Sequence, residues 1–444
     1  MAHRSGVRST GCVTTTTMAR VRRTAMRWAV RRIDVQPDLT SLERLPAEGR
    51  FVLQRDGVDP VPALDEARTA DGIVHVTRML GLDVWLVTGH DAARTVLADK
   101  DGFGNDVRHL LGGRPRSAAE QVGGLGMTDD PEHGRLRRVL TPEFTRRRLA
   151  RLEEPIERVV AEALDDMERH GPVVDLVERF AFEVPFRVIC DLLGLPEVDR
   201  VAFRGLGTAR FDMRAGGRGS FGAAAASRTF LIAAVGRERA RGAVGEGLIA
   251  SLLREHGDDL DDVELGGLAD GLFLGGYETS ASMLSLGTYV LLRDPASYAL
   301  LRTGDGAVVD GVVEELLRYV CPVQVAFPRF ARRDLLVGSA RVKEGDVVMV
   351  SLTGANRDPQ AAAGSFDPRP GRSPGHVAFG HGAHRCLGAE LARMELRAAL
   401  TGLATRFPAL ALAVGPEELR FSELSAVHGV EALPVRLHEA SPGS

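Results

Sequence analysis

Lysine is almost missing from this chain of 444 residues: among 56 basic residues only Lys100 and Lys343 are lysine, and the rest are arginine. With abundant alanine and glycine, that bias is the imprint of a GC-rich coding sequence and carries no chemistry. Cysteine is also scarce. Cys12, Cys190, Cys321 and Cys386 lie far apart, which excludes a disulfide framework and a paired Cys-x-x-Cys metal clip. A reduced, cytoplasmic setting is expected. No stretch approaches the ~20 apolar residues that span a bilayer. An excess of either charge is absent too: 56 basic against 60 acidic residues gives −4, so a broad nucleic-acid surface is not expected. The first 33 residues hold eight arginines and no acid. Arg22-Arg23 look like a twin-arginine signal, but Arg27, Arg31 and Arg32 break its apolar core. Residues 1–38 are therefore read as a basic, disordered tail, with Met18 or Met26 as alternative starts, and residues 39–444 as one domain.

The hydrophobic pattern predicts a mainly helical protein with a smaller β-rich part. "VHVTRMLGLDVWLVTG" (74–89) reads as a hairpin. From Asp130 to about Leu301 apolar residues recur at helical spacing. Cys190 falls in one such helix as a small buried hydrophobe. The Gly-rich stretch 211–227 reads as a mobile connection between helices. "LFLGGYETSASMLSLGTYVLL" (272–292) is apolar nearly all round, as in a helix at the centre of a protein. Yet Gly275 and Gly276 each weaken a helix interior by up to about 1 kcal/mol, and Glu278 and Thr279 place an acid and a hydroxyl inside it. A local rule broken in a buried helix points to function. Beyond the next helix the chain turns to short strands.

Near the C-terminus "HVAFGHGAHRCLGAELARMEL" gathers His376, His381, His384 and Cys386 around three glycines. Two readings compete. A zinc site wants four ligands, commonly in paired spacings, and a second cysteine pair is missing. A loop that presents one thiolate to a larger cofactor accounts for more residues. Gly380 and Gly382 permit tight turns, Gly388 lets something bulky approach the main chain, and Phe379 can shield the sulfur. The helix that follows Cys386 sets its positive end and free amides beside a thiolate.

"FGHGAHRCLGAELARME" resembles the haem-binding signature of the cytochrome P-450 family, including the Leu-Ala-Arg-x-Glu tail of its soluble bacterial members. "GGYETS", the Glu315-x-x-Arg318 pair of "EELLR", and "MTDDPEHGRLRRVL" with His133 and Arg137 follow in that family's order. The resemblance spans about 39–438. It implies a single large fold with haem b held between the central helix and the cysteine loop. Cys386 would be the iron ligand, and His133, Arg137, Arg329, His376 and His384 partners of the haem propionates. Gly275 and Gly388 would give room to the haem. Glu278 and Thr279 would form the acid–alcohol pair that orders a proton relay to dioxygen, and Tyr277 would face away. Glu315 and Arg318 would pair behind the haem, with Arg369 or Arg372 as the nearby meander arginine. Val323, Val325, Ala326 and Phe327 are candidate pocket walls, and Phe211 and Met213 candidate lid residues.

The implied activity is a monooxygenase that hydroxylates or epoxidises a small apolar organic substrate, in bacterial specialised metabolism. NAD(P)H would supply electrons through ferredoxin reductase and ferredoxin, docking by Arg385, Arg393 and Arg397. A monomer without nucleic-acid or membrane partners is expected. Peroxide-driven or oxidative-coupling chemistry on the same haem, or a non-catalytic haem-binding recruitment protein, are the alternatives.

Overall fold

The computed structural model describes residues 47–68, 71–79, 81–106, 124–211, 218–361, 364–369 and 375–438. The basic tail, Met213 and Arg372 lie outside these residues. The predicted hairpin is present. β1 (Ile73–Met79) pairs antiparallel with β2 (Leu82–Val87), with a register shift between His75 and Thr77. Together with β3 (Phe103–Gly104), β5 (Arg329–Ala331) and β6 (Val347–Val350) they form a sheet of order β1-β2-β6-β5-β3, in which only the β2–β6 pairing is parallel. A second small sheet joins distant parts of the chain: β8 (Pro434–Arg436) lies between β7 (Ala411–Leu412) and β4 (Val173–Asp175).

Helices make up the rest. α1 (His90–Ala98) follows the hairpin, and α2 (Glu132–Leu140) carries His133 and Arg137. α3 (Glu153–Arg169) is amphipathic: Ile156, Val159, Val160, Ala163, Leu164 and Met167 mark the stripe that faces the core. α4 (Glu183–Leu193) ends on Gly194, whose φ of 77° is a left-handed cap that glycine takes without strain. α5 (Glu197–Phe211) and α6 (Arg218–Ala240) lie above α8 (Asp262–Leu292). The expected long connection is therefore shorter than the sequence indicated. Helix resumes at Arg218, helped by the strong helix former alanine at 223–226.

α8 is the axis of the molecule. Its Asp261 cap accepts the Glu264 amide at 2.7 Å, and its C-terminal half is buried on every side, as the all-round apolar pattern requires. α6 crosses it at the closest possible range. A Cβ added to Gly266 would lie 2.7 Å from the Ile232 Cα, so the two backbones touch. α7 (Leu248–His256) and α9 (Gly306–Val320) complete the helical core with α10 (Ala389–Arg406), which starts directly beyond the cysteine loop. Gly402 of α10 is needed where that helix meets α3: a Cβ there would come within 2.8 Å of Val160.

Candidate active site

Three elements converge: the middle of α8, the cysteine loop, and α2 with β5. The loop is shaped by its glycines. Gly380 and Gly382 have φ of 68° and 74°, and a Cβ on Gly382 would strike the Leu97 carbonyl oxygen at 2.6 Å, at the end of α1. The Cys386 amide donates to the Phe379 carbonyl at 2.8 Å and closes the loop. Cys386 opens onto free space, while protein crowds it from behind. Burial raises its thiol above the usual pKa. The Gly388 amide and the charges of Arg137, Arg385 and Arg393 pull the other way. The Gly388 amide thus acts in the expected direction, but desolvation outweighs it and the arginines in the chain by itself. A bound cation would complete the thiolate.

Opposite lies α8. Gly275 is exposed in the midst of a largely buried helix, and a Cβ on it would meet nothing within 4 Å. Thr279 donates its hydroxyl to the Gly275 carbonyl at 2.6 Å. It is bonded one turn back rather than to its neighbour Glu278. Burial pushes the half-buried Glu278 carboxyl up to about 7. Tyr277 points the other way, 4% exposed, stacked on Phe273 and edge-on to Phe182 and Phe186.

A basic cluster forms the third side. The rings of His133 and His384 lie against each other with centroids 4.1 Å apart and planes tilted by 34°. The Nε2 of His133 is buried and without a hydrogen-bond partner among the described residues. Burial, helped by His133 and Arg329, drives the His384 pKa down to about 4. Arg329 is 3% exposed and bonds the Phe327 carbonyl at 3.0 Å. Burial lowers its pKa to about 10, so it is still charged at neutral pH. Arg137 donates to the Arg385 carbonyl at 2.8 Å, and its pKa is lowered by burial. The buried Arg329 cation needs an anionic partner and the orphaned His133 nitrogen a hydrogen-bond partner. Two haem propionates would supply them, and the sulfur and the bare Gly275 face suit the iron and the flat macrocycle. The residues present fit the group. The zinc reading is not supported: among the described residues no three His, Cys, Asp or Glu side chains converge as a metal site.

His376 stands apart from this cluster. Its Nδ1 accepts the Ala378 amide at 3.1 Å and its Nε2 meets Glu314 at 3.2 Å, so both ring nitrogens are occupied. Burial works against ionising Glu314, yet bonds from His376 and Arg393 hold its pKa down to about 2. Sequence reading missed Glu314, masked by its neighbour in the Glu-x-x-Arg motif. That motif folds as expected. Glu315 and Arg318 are each 2% exposed and paired through two bonds of 2.6 and 2.7 Å. Arg318 also reaches the Asn356 and Ser365 carbonyls. Arg369 is exposed and bonded to its neighbour Asp367. The presumed docking charges need correction as well. Arg393 is 17% exposed, tied to Glu314 and lying over the Phe379 ring, while Arg397 pairs with Asp310 at 2.8 Å. Of the three, Arg385 alone is exposed and without a carboxylate partner among the described residues. Of the candidate pocket walls, Val323, Val325 and Ala326 are half-buried in packing, and Phe327, 45% exposed, faces open space. Phe211 closes α5.

The family model for cytochrome P450 matches residues 307–417, which include the Glu-x-x-Arg helix and the cysteine loop. Cytochrome P450 165B3 of Amycolatopsis orientalis is 38% identical over 86% of this chain and 97% of its own length. The chain belongs to the cytochrome P450 family. Cytochrome P450 monooxygenase PikC of Streptomyces venezuelae is also 38% identical, over 85% of this chain and 91% of its own. Among solved structures, OxyC, a cytochrome P450 implicated in an oxidative C–C coupling reaction during vancomycin biosynthesis, superposes with a TM-score of 0.77. It is 35% identical and covers 88% of this chain and 97% of that one. This P450 is thus a haem protein of the monooxygenase class, with the mainly helical P450 fold. No described helix is long and apolar enough to cross a membrane.

Proposed function

We propose that this P450 hydroxylates or epoxidises an apolar organic substrate of bacterial specialised metabolism. NAD(P)H would supply the electrons, passed through a ferredoxin reductase and a ferredoxin in the cytoplasm to a monomeric enzyme. Haem b bound between α8 and the cysteine loop would supply a thiolate-ligated iron for dioxygen activation. Cys386 would hold the iron. His133, Arg137, Arg329 and His384 would take the propionates, with Gly275 and Gly388 leaving room for the ring. His376 and Phe379 support the loop: the first through Glu314, the second through its carbonyl to Cys386.

The observation that carries the reading is the Glu278–Thr279 pair. A carboxyl with a pKa of about 7 gains and loses protons at neutral pH. The Thr279 hydroxyl spends its proton on Gly275, which leaves its lone pairs to accept from a water. Together they can hold a proton at the carboxyl and pass it through ordered water toward the cavity. Ferredoxin would approach the face beside the loop. There Arg385 and Arg94 are both exposed, and both lower the pKa of His381 after burial has done so.

Oxidative coupling is the second reading, favoured by the likeness to OxyC. Turnover with NADPH, ferredoxin and its reductase is compared with turnover on peroxide alone. Monooxygenation adds one oxygen atom to the product mass, and coupling removes two hydrogens. Product formed equally well on peroxide, or without added oxygen, would overturn the proposal. NADPH left unconsumed with every substrate tried would point to a recruitment role.

A further inference from the structure

Gln324 sits in the apolar run "VQVAF" (323–327), yet it is only 2% exposed. All its polar groups are used. Nε2 donates to the Leu53 carbonyl at 3.0 Å and the Ser425 carbonyl at 2.7 Å, and Oε1 accepts Arg55 Nε at 3.0 Å. Its amide donates to the Ala426 carbonyl, and its own carbonyl accepts the Leu352 amide, both at 2.9 Å. One residue therefore ties the N-terminal segment, the end of β6 and the C-terminal loop to the stretch that leaves α9.

Arg55 extends the knot. Its guanidinium also donates to the Val58, Val320 and Cys321 carbonyls and to the Thr353 hydroxyl. Burial lowers its pKa to about 10, which keeps it cationic at the negative end of α9. Three non-glycine residues among those described have positive φ, and two of them flank this knot: Cys321 at 41° and Leu424 at 47°. Such conformations persist where the surroundings hold them in place. The left-handed turn at Cys321 ends α9 and redirects the chain. Val323 then bridges Val427, and Val325 bridges Ser351. Phe327 follows, with its ring laid on Gly126: a Cβ there would lie 2.2 Å from Cε2.

We propose that Gln324 is a positioning residue. Through Arg55, Leu53 and Ser425 it joins segment 323–327 and loop 422–428 into one wall and fixes where Phe327 stands over the cavity. This rests on reading the space between Gly275 and Cys386 as the haem and substrate site.

Two probes separate wall from iron. Imidazole and 4-phenylimidazole both bind haem iron through nitrogen and shift its absorbance, but only the second carries a phenyl group out to the wall. Both are titrated into the haem-loaded full chain and into its Gln324→Leu and Gln324→Glu variants. The glutamate keeps the bond from Arg55 and sets an acceptor against the Leu53 and Ser425 carbonyls, whereas the leucine removes all three bonds, so the two variants break different parts of the knot and either can stand in should the other fold poorly. The expected result is a change of about tenfold in the ratio of the two dissociation constants. Imidazole binding and the carbon-monoxide band should stay as in the parent. A ratio within twofold of the parent in variants with normal haem would overturn the positioning role. Equal loss of haem and of both ligands would overturn it as well, because Gln324 would then be a structural residue only. No imidazole shift in the parent would instead bring down the site reading and this proposal with it.

Discussion

Glu315 offers the sharpest quantitative test of how the site is supported. Replacing it with leucine leaves Arg318, 2% exposed, with a charge and no carboxylate. Breaking a buried pair in this way costs about 3–5 kcal/mol. Two carbonyls, Asn356 and Ser365, still accept from the guanidinium and hold the loss toward the lower figure. Against that, the Asp367 amide loses the acceptor it now has at 2.9 Å, worth about 1 kcal/mol. The expected net is about 4 kcal/mol, about a quarter or more of the usual 5–15 kcal/mol margin. The assay is urea unfolding of the haem-loaded protein, followed by haem absorbance and far-UV circular dichroism. Glu315→Leu with Arg318→Leu removes both charges and should unfold later than either single variant. A single variant within about 1 kcal/mol of the parent, or a double variant as weak as the two losses summed, would refute the stranded-charge reasoning.

Other outcomes follow from individual groups. A general acid with a pKa near 7 is protonated below that value, so coupled turnover should fall as pH rises through about 7, and Glu278→Gln should lose that inflection while keeping its haem. Glu395 is 3% exposed with one carboxylate oxygen unpartnered, and burial raises its pKa to about 8. A raised carboxyl favours the fold below the unfolded pKa of 4.5 and loses that contribution as pH climbs to about 8. Glu395→Gln should therefore flatten the decline in unfolding free energy between pH 5 and 8, read by urea titration at each pH; an unchanged slope would count against a buried neutral carboxyl. Arg385→Glu should slow reduction by ferredoxin, more so at low ionic strength, and leave haem content intact. Arg393→Glu should cost haem first, because it breaks the contacts to Glu314 and Glu390.

Much of the site was legible because its chemistry is local in sequence. Cys386 and its glycines, Gly275 with Glu278 and Thr279, and Glu315 with Arg318 each fall within a few residues, where spacing and residue type carry the signal. What stayed hidden depends on distance through the fold. The hold of Glu314 on both His376 and Arg393 joins residues 62 and 79 apart, and no periodicity reveals it. The same holds for Gln324, which a pattern reading takes for a lapse in an apolar strand. Gly-rich composition misled at 218–227, where a run of alanines and the bond of Ser227 to Asp270 of α8 sustain helix despite the glycines. The thiol of Cys386 shows a further limit: sequence names the groups that favour its anion, but the opposing desolvation depends on packing.

The contact of Gly266 with Ile232 has its own bearing on how such an enzyme diversifies. With no side chain between the crossing helices, α6 rests on α8 as on a fixed fulcrum. Residues of α6 on either side of that point can be exchanged to suit new guests while the spacing of the two helices stays the same.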